Sequence, residues 1–269
     1  MREKILAFKL ENRGKAAALF GGWQETMIWS CLQGVMGDIY VDSLENPASA
    51  MALLGDFCFL AGKPDRGFVL SCLNQIGHVF LILVPQNREW EGLLREWNGG
   101  CSKEVIRYAL KKEPDVFDRK RLAKMAEGLP EGFELRMMDE ELFWRCKETE
   151  WCRDWVAQYD GFAVYQEFGL GAVILKGEEI VSGASSYSGF RGGIEIQIDT
   201  RKDYRRKGLA SVCGAKLILE CLRRGWYPSW DAQNLSSLAL AEKLGYHLAG
   251  EYVAFEIHRL TVLEGQSGV

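Results

Sequence analysis

Glu195-Ile-Gln-Ile-Asp-Thr-Arg-Lys-Asp-Tyr-Arg-Arg-Lys-Gly-Leu-Ala210 joins an alternating strand to a helix through a basic turn that ends on small residues. Successive side chains of a strand point to opposite faces. Ile194, Ile196 and Ile198 therefore share one face, and Glu195, Gln197 and Asp199 the other. The apolar face asks for a helix packed over it. The polar face either meets solvent or lines a cleft, where one carboxylate is available as a base. The first turn of the helix that follows carries unpaired N–H groups and the positive end of the dipole. Gly208 and Ala210 have no side chain that blocks an anion from those amides, and Arg205, Arg206 and Lys207 add local positive charge. The pattern predicts a pocket for a diphosphate.

Downstream, Trp230-Asp-Ala-Gln-Asn-Leu-Ser-Ser-Leu-Ala-Leu-Ala-Glu-Lys-Leu-Gly-Tyr246 repeats the strand-to-helix step. Asn234 or Ser236 suits the N-cap. The Asn234 amide is also placed to reach a ligand between the two strand ends, a usual crevice of layered α/β folds.

The rest of the chain sets limits. Its 269 residues suffice for one large domain or two small ones, and 48% apolar content is ordinary for a chain that buries a core. A net charge of −4 gives no general attraction to nucleic acid or an anionic membrane, so anion binding must be local. No apolar run is long enough to span a bilayer, and the start lacks a secretory pattern, so a cytoplasmic location is expected. Eight cysteines with no Cys-x-x-Cys pair, beside three histidines, read as reduced structural thiols rather than a zinc site. Neither a nucleotide P-loop nor a hydrolase elbow is present.

Periodicity and punctuation predict helices at 4–19, 23–32, 87–97, 118–127, 139–147, 150–159, 207–224 and 235–244. Strands are predicted at 35–41, 50–60, 68–73, 78–84, 104–110, 133–137, 171–176, 179–186, 193–200, 226–232 and 246–260. No internal repeat is evident. The charged, proline-bearing segment 111–132 suggests a boundary that leaves residues 1–128 as a smaller α/β domain and 129–269 as a second. The second reads as a layered α/β domain, a mostly antiparallel meander leading into β-α-β-α-β.

Together these residues resemble the GCN5-related N-acetyltransferase (GNAT) superfamily. Arg205 to Ala210 match its cofactor turn, Arg/Gln-x-x-Gly-x-Gly/Ala, and Asn234, Ser237, Leu240, Gly245 and Tyr246 match the spacing of its next element. The specific match covers about 193–246. Val41-Asp-Ser-Leu-Glu-Asn-Pro47 and Gly55-Asp-Phe-Cys-Phe-Leu-Ala-Gly62 resemble, more loosely, the first half of a bacterial two-domain acetyltransferase family.

The resemblance implies a splayed mixed sheet and acetyl-coenzyme A as co-substrate, with no metal. It places the pyrophosphate on the amides of Arg206, Lys207, Gly208, Leu209 and Ala210, and the pantetheine arm on the backbone from Ile198 to Thr200. Asn234 would approach from the other side, with Ser237 next to it. Glu195 stands where several members carry their base; Gln197 and Asp199 are poorer candidates. Many members place a tyrosine acid where this chain has Ala241, so the thiolate leaves unaided, Tyr252 or Tyr187 serves, or the chain binds acyl-coenzyme A without turnover. The implied acceptor is a small-molecule or protein amine, with the N-terminal half shaping that side. A homodimer is compatible with the sequence.

Overall fold

The isoleucines of the quoted stretch do turn inward. Strand β10 (Gly193–Thr200) buries Ile194 and Ile196 fully and Ile198 partly against helix α7 (Leu209–Arg224). Gly214 lets the helix come close: a Cβ there would meet Leu244 Cδ1 at 2.7 Å and Ile198 Cδ1 at 3.0 Å. Gly225 ends α7 in the left-handed conformation, and Trp226 N donates to Cys221 O at 2.8 Å. That pairing is a Schellman stop, which glycine permits at least cost.

The computed structural model describes residues 7–77, 79–97 and 102–258. The expected strand start at His78, the helix stop at Asn98-Gly-Gly100 and the last two residues of the strand expected to Leu260 lie outside them. So do Cys101 and the first three residues of the helix expected from Lys4. Among the described residues no helix is long and apolar enough to cross a membrane. The seven described cysteines are buried thiols without disulfides.

Two compact units divide the chain. One runs to Arg107 and resumes at Tyr252; the other is Tyr108–Glu251. This differs from the expected break at 128/129. Helix α4 (Arg119–Glu127) of the supposed first domain packs on α7 of the second unit through Leu122 and Met125.

In the first unit β1 (Phe8–Lys9), α1 (Thr26–Gln33), β2 (Asp38–Val41), β3 (Ser49–Leu54) and β4 (Phe57–Gly62) lead through α2 (Arg66–Gln75) to β5 (Phe80–Pro85). Helix α3 (Arg88–Trp97) and β6 (Ser102–Leu110) follow. Neighbours from β1 to β4 pair antiparallel, and β4 pairs β5 parallel. In the second unit β7 (Glu134–Met137), α5 (Glu140–Glu148), α6 (Phe162–Phe168), β8 (Gly171–Lys176) and β9 (Glu179–Phe190) precede β10 and α7. Then come β11 (Tyr227–Ser229), β12 (Asp231–Ala232), α8 (Leu235–Leu244) and the start of β13 (Leu248–His258), which belongs to the first unit from Tyr252 on. From β7 to β10 the pairing is again antiparallel, and β10 pairs β11 parallel.

Pairing sense thus runs alike in both units, three antiparallel steps and then a parallel one across a helix, while the second unit adds α4 before β7 and a second helix, α6, before β8. The sequence does not display this partial repeat. Each unit is completed by a strand from the other half of the chain: β13 pairs β5 at Phe255–His258, and the end of β6 pairs β12 at Tyr108 and Ala109.

Several expected elements change. The helix expected at 4–19 is the short β1 and a 3-10 stretch at Arg13–Phe20, where Gly14 lowers helix propensity. The strand expected at 68–73 is the middle of α2, capped by Asp65 Oδ1 accepting from Phe68 N at 2.8 Å. A short apolar run does not distinguish a buried helix from a strand. Residues 50–60 are two strands around Gly55, and 150–159 hold only a 3-10 turn at Arg153–Trp155.

Candidate active site

Strand β11 lies beside β10 only from Gly193 to Glu195, and the chain then turns away to make β12 against β6. From Ile196 to Thr200 the outer edge of β10 has no strand partner among the described residues. Main-chain groups there need partners. The edge opens on a cavity of about 710 Å³ whose wall includes Ile198, Asp199 and Thr200. That volume suits a small-molecule or cofactor site.

The far end of the cavity is the basic turn. Arg206, alone among described non-glycine residues, has a positive φ, 63°, and Gly208 follows at 81°. Left-handed backbone on either side of Lys207 is the conformation in which successive N–H groups can converge as a nest that favours anions. Holding a non-glycine residue there costs about 1–3 kcal/mol, strain that clusters at ligand clamps. Gly208 is also the N-cap of α7, and no side chain caps that helix. Arg205 donates from Nε to Thr200 O at 3.2 Å, tying the turn to the strand edge.

Of the residues expected to hold the ligand, Ile198, Thr200, Arg205, Arg206, Gly208, Leu209, Ala210, Asn234 and Ser237 all line this cavity. Lys207 does not; its ammonium lies 5.0 Å above the Tyr204 ring. Asn234 caps α8, its Oδ1 accepting from Ser237 N at 3.0 Å, which leaves its amide N–H groups for the cavity.

The carboxylates of β10 divide. Glu195 is 3% exposed and absent from the cavity wall, set between Ser188 and Ser229 beside a bulge where Tyr187 is the extra residue. Asp199 does line the cavity. Its Oδ2 accepts from Trp155 Nε1 at 3.1 Å and Gln197 Nε2 at 3.2 Å. Burial pushes its carboxyl above the ordinary value, against those two bonds. Ala241 is fully buried in the core. Tyr252, in the first unit, accepts from Arg107 Nε, and Tyr187 is buried.

Spacing singled out neither Trp155 nor Lys243. Lys243 lines the cavity and donates to Ser211 Oγ at 3.0 Å. Ser236, Leu240 and Lys243 fall at helical spacing, so a face of α8 carried the signal. Trp155 comes from 44 positions away and had none.

The corresponding turn of the first unit, Gly62-Lys-Pro-Asp65, is closed. Lys63 N donates to Ala48 O, Gly62 N to Gln86 Oε1, and proline has no N–H. The Asp65 carboxylate holds the helix N-terminus that an anion would need.

A model of GNAT acetyltransferases matches residues 17–255. The chain belongs to the GNAT acetyltransferase family. A solved GCN5-related N-acetyltransferase-like protein from Streptococcus suis is 49% identical, with 92% of this chain and 99% of that one covered and a TM-score of 0.87. The Bacillus subtilis protein "Uncharacterized N-acetyltransferase YdfB" is 26% identical over 249 residues, 86% of this chain and 89% of that protein. A tandem GNAT protein from the clavulanic acid biosynthesis pathway shares the fold at a TM-score of 0.56 and 13% identity, over 94% of this chain and 98% of that one. This GNAT chain is accordingly a transferase of mixed α/β fold with a splayed sheet.

Proposed function

We propose that the chain moves an acetyl group from acetyl-coenzyme A to a primary amine by direct attack. One observation carries this reading: an unpaired strand edge and a nest of main-chain amides face one cavity of about 710 Å³. A ligand with an amide-bearing arm and a diphosphate fits that pair of features. The N–H groups from Arg206 to Ala210 hold the pyrophosphate, and Arg205 and Arg206 add charge. The main chain from Ile198 to Thr200 takes the arm as a further strand would. The Asn234 amide meets it from α8.

When bound, the cofactor supplies an activated thioester carbon. The chain's own task is to remove a proton from the acceptor ammonium and to steady the developing oxyanion. Two carboxylates compete for the proton. Glu195 is supported by its burial beside the β9–β10 bulge, since bulges often adjoin active sites. Asp199 is supported by its place on the cavity wall and by the indole that fixes it. With alanine at 241, α8 offers the leaving thiolate no tyrosine proton.

Calorimetry with acetyl-coenzyme A, then thiol release across a panel of amines, tests the reading. Neither heat nor thermal protection on adding the cofactor would end it.

A further inference from the structure

Three cationic side chains, Arg205, Arg206 and Lys243, line the cavity against one carboxylate, Asp199. The two arginines belong to the turn that forms the nest. Lys243 comes from α8 across the cavity. Its ammonium is fixed 3.0 Å from Ser211 Oγ, in the first turn of α7 and three residues past Gly208. An ammonium has three N–H donors. One is used on Ser211, and among the described residues no carboxylate lies within 4.0 Å of it, so two donors are left for the cavity.

Lysine in the last turn of a helix commonly serves the helix itself, by meeting its terminal carbonyls and its dipole. Here α8 has other means. Gly245 N donates to Ala241 O at 3.1 Å and Glu242 O at 3.0 Å, and the carbonyl of Lys243 itself accepts from Arg121 Nη2. The Lys243 side chain instead leaves its own helix and crosses to α7.

We propose that Lys243 reads the 3′-phosphate of coenzyme A and makes the cleft selective for the 3′-phosphorylated nucleotide over its dephospho form. This rests on the acyl-coenzyme A reading above. The pyrophosphate is matched by the amide nest and its two arginines, so a further fixed cation, brought from α8 to the first turn of α7, answers a further anion. A phosphomonoester, with a charge of about −1.5 to −2 near neutral pH, is that anion; dephospho-coenzyme A keeps every other group. A lysine ammonium suits it as a compact point charge, where no planar two-pronged contact is required.

The test is calorimetry of the full chain with coenzyme A and with 3′-dephospho-coenzyme A, on the parent and on Lys243→Met and Lys243→Arg. Methionine keeps the apolar stem; arginine keeps the charge. The parent is expected to bind coenzyme A at least tenfold more tightly than the dephospho form. Lys243→Met should bring the two within about threefold of each other and leave dephospho-coenzyme A binding nearly as in the parent. Lys243→Arg should retain most of the preference. Equal weakening of both ligands in Lys243→Met would make the residue only a pin between α8 and α7 and would overturn the proposal. So would a parent with no preference. A parent that binds neither ligand would remove the acyl-coenzyme A reading itself, a result distinct from loss of selectivity alone.

Discussion

Gly208→Glu is the sharpest test of the amide nest. A Cβ at Gly208 would meet nothing within 4 Å, so the backbone has room for a side chain to start there. The stability cost of the substitution is the left-handed backbone at φ 81°, about 1–2 kcal/mol for a residue with a Cβ. That is a modest part of the roughly 5–15 kcal/mol of a typical domain. The cost to binding is larger. A carboxylate about 6 Å from one phosphate charge, at an effective dielectric of about 20, is repelled by about 3 kcal/mol. This converts to about 100-fold in Kd. Gly208→Ala carries the same backbone strain without the charge and is the control. Calorimetry with coenzyme A should give at least a 100-fold loss for Gly208→Glu and less than about tenfold for Gly208→Ala, with both variants folded by thermal melt. If the two variants bound coenzyme A within threefold of each other, the anion would not sit on these amides.

The chain should bind one equivalent of coenzyme A, because Asp65 occupies the matching helix end in the first unit; a stoichiometry of two would contradict this. Glu195→Gln and Asp199→Asn should both spare cofactor affinity, and the one that holds the base should lower kcat at least 100-fold and abolish the acid limb of the pH profile. Unchanged kcat in either variant removes that residue. Gly183→Ala should cost about 1–3 kcal/mol in urea unfolding, since its Cβ would lie 2.4 Å from Trp155 Cζ3, and it should disturb the indole that holds Asp199. A variant as stable as the parent would show that Trp155 yields freely. Arg223, then burial opposing and Arg224 assisting, set the Glu220 carboxyl, which is held down to about 2 from near 4.5. The stability it adds is therefore present above about pH 4.5 and lost as pH falls through about 2. Arg223 is largely exposed, so Glu220→Gln should cost no more than about 1 kcal/mol at pH 7, a gap that closes by pH 2. A gap that persists at pH 2 would mean that the effect is packing.

The sequence by itself determined what neighbours along the chain decide. Alternating isoleucines placed β10 against α7, Gly225 stopped that helix, and the cap of the next one narrowed to Asn234 or Ser236, of which Asn234 is used. Each of these depends on dihedral freedom or hydrogen bonds within a few residues, so spacing is enough to read it. Phe68–Leu73 is helical although its residues suit a strand, because an apolar run of that length carries no period of its own; the cap that decides it, Asp65, lies before the run.

Only the tertiary structure decided the rest. The repeat is legible in the order and sense of strand pairing, since two sequences can meet the same burial pattern with different side chains. The completion of each unit by a strand from the other half joins Phe255 to Leu83 and Asp231 to Ala109, separations over which no local propensity acts. Trp155 reaches Asp199, and Lys243 reaches Ser211, for the same reason. Burial of apolar surface chooses which distant segments meet, and the charges of the cleft are fixed only once that choice has been made.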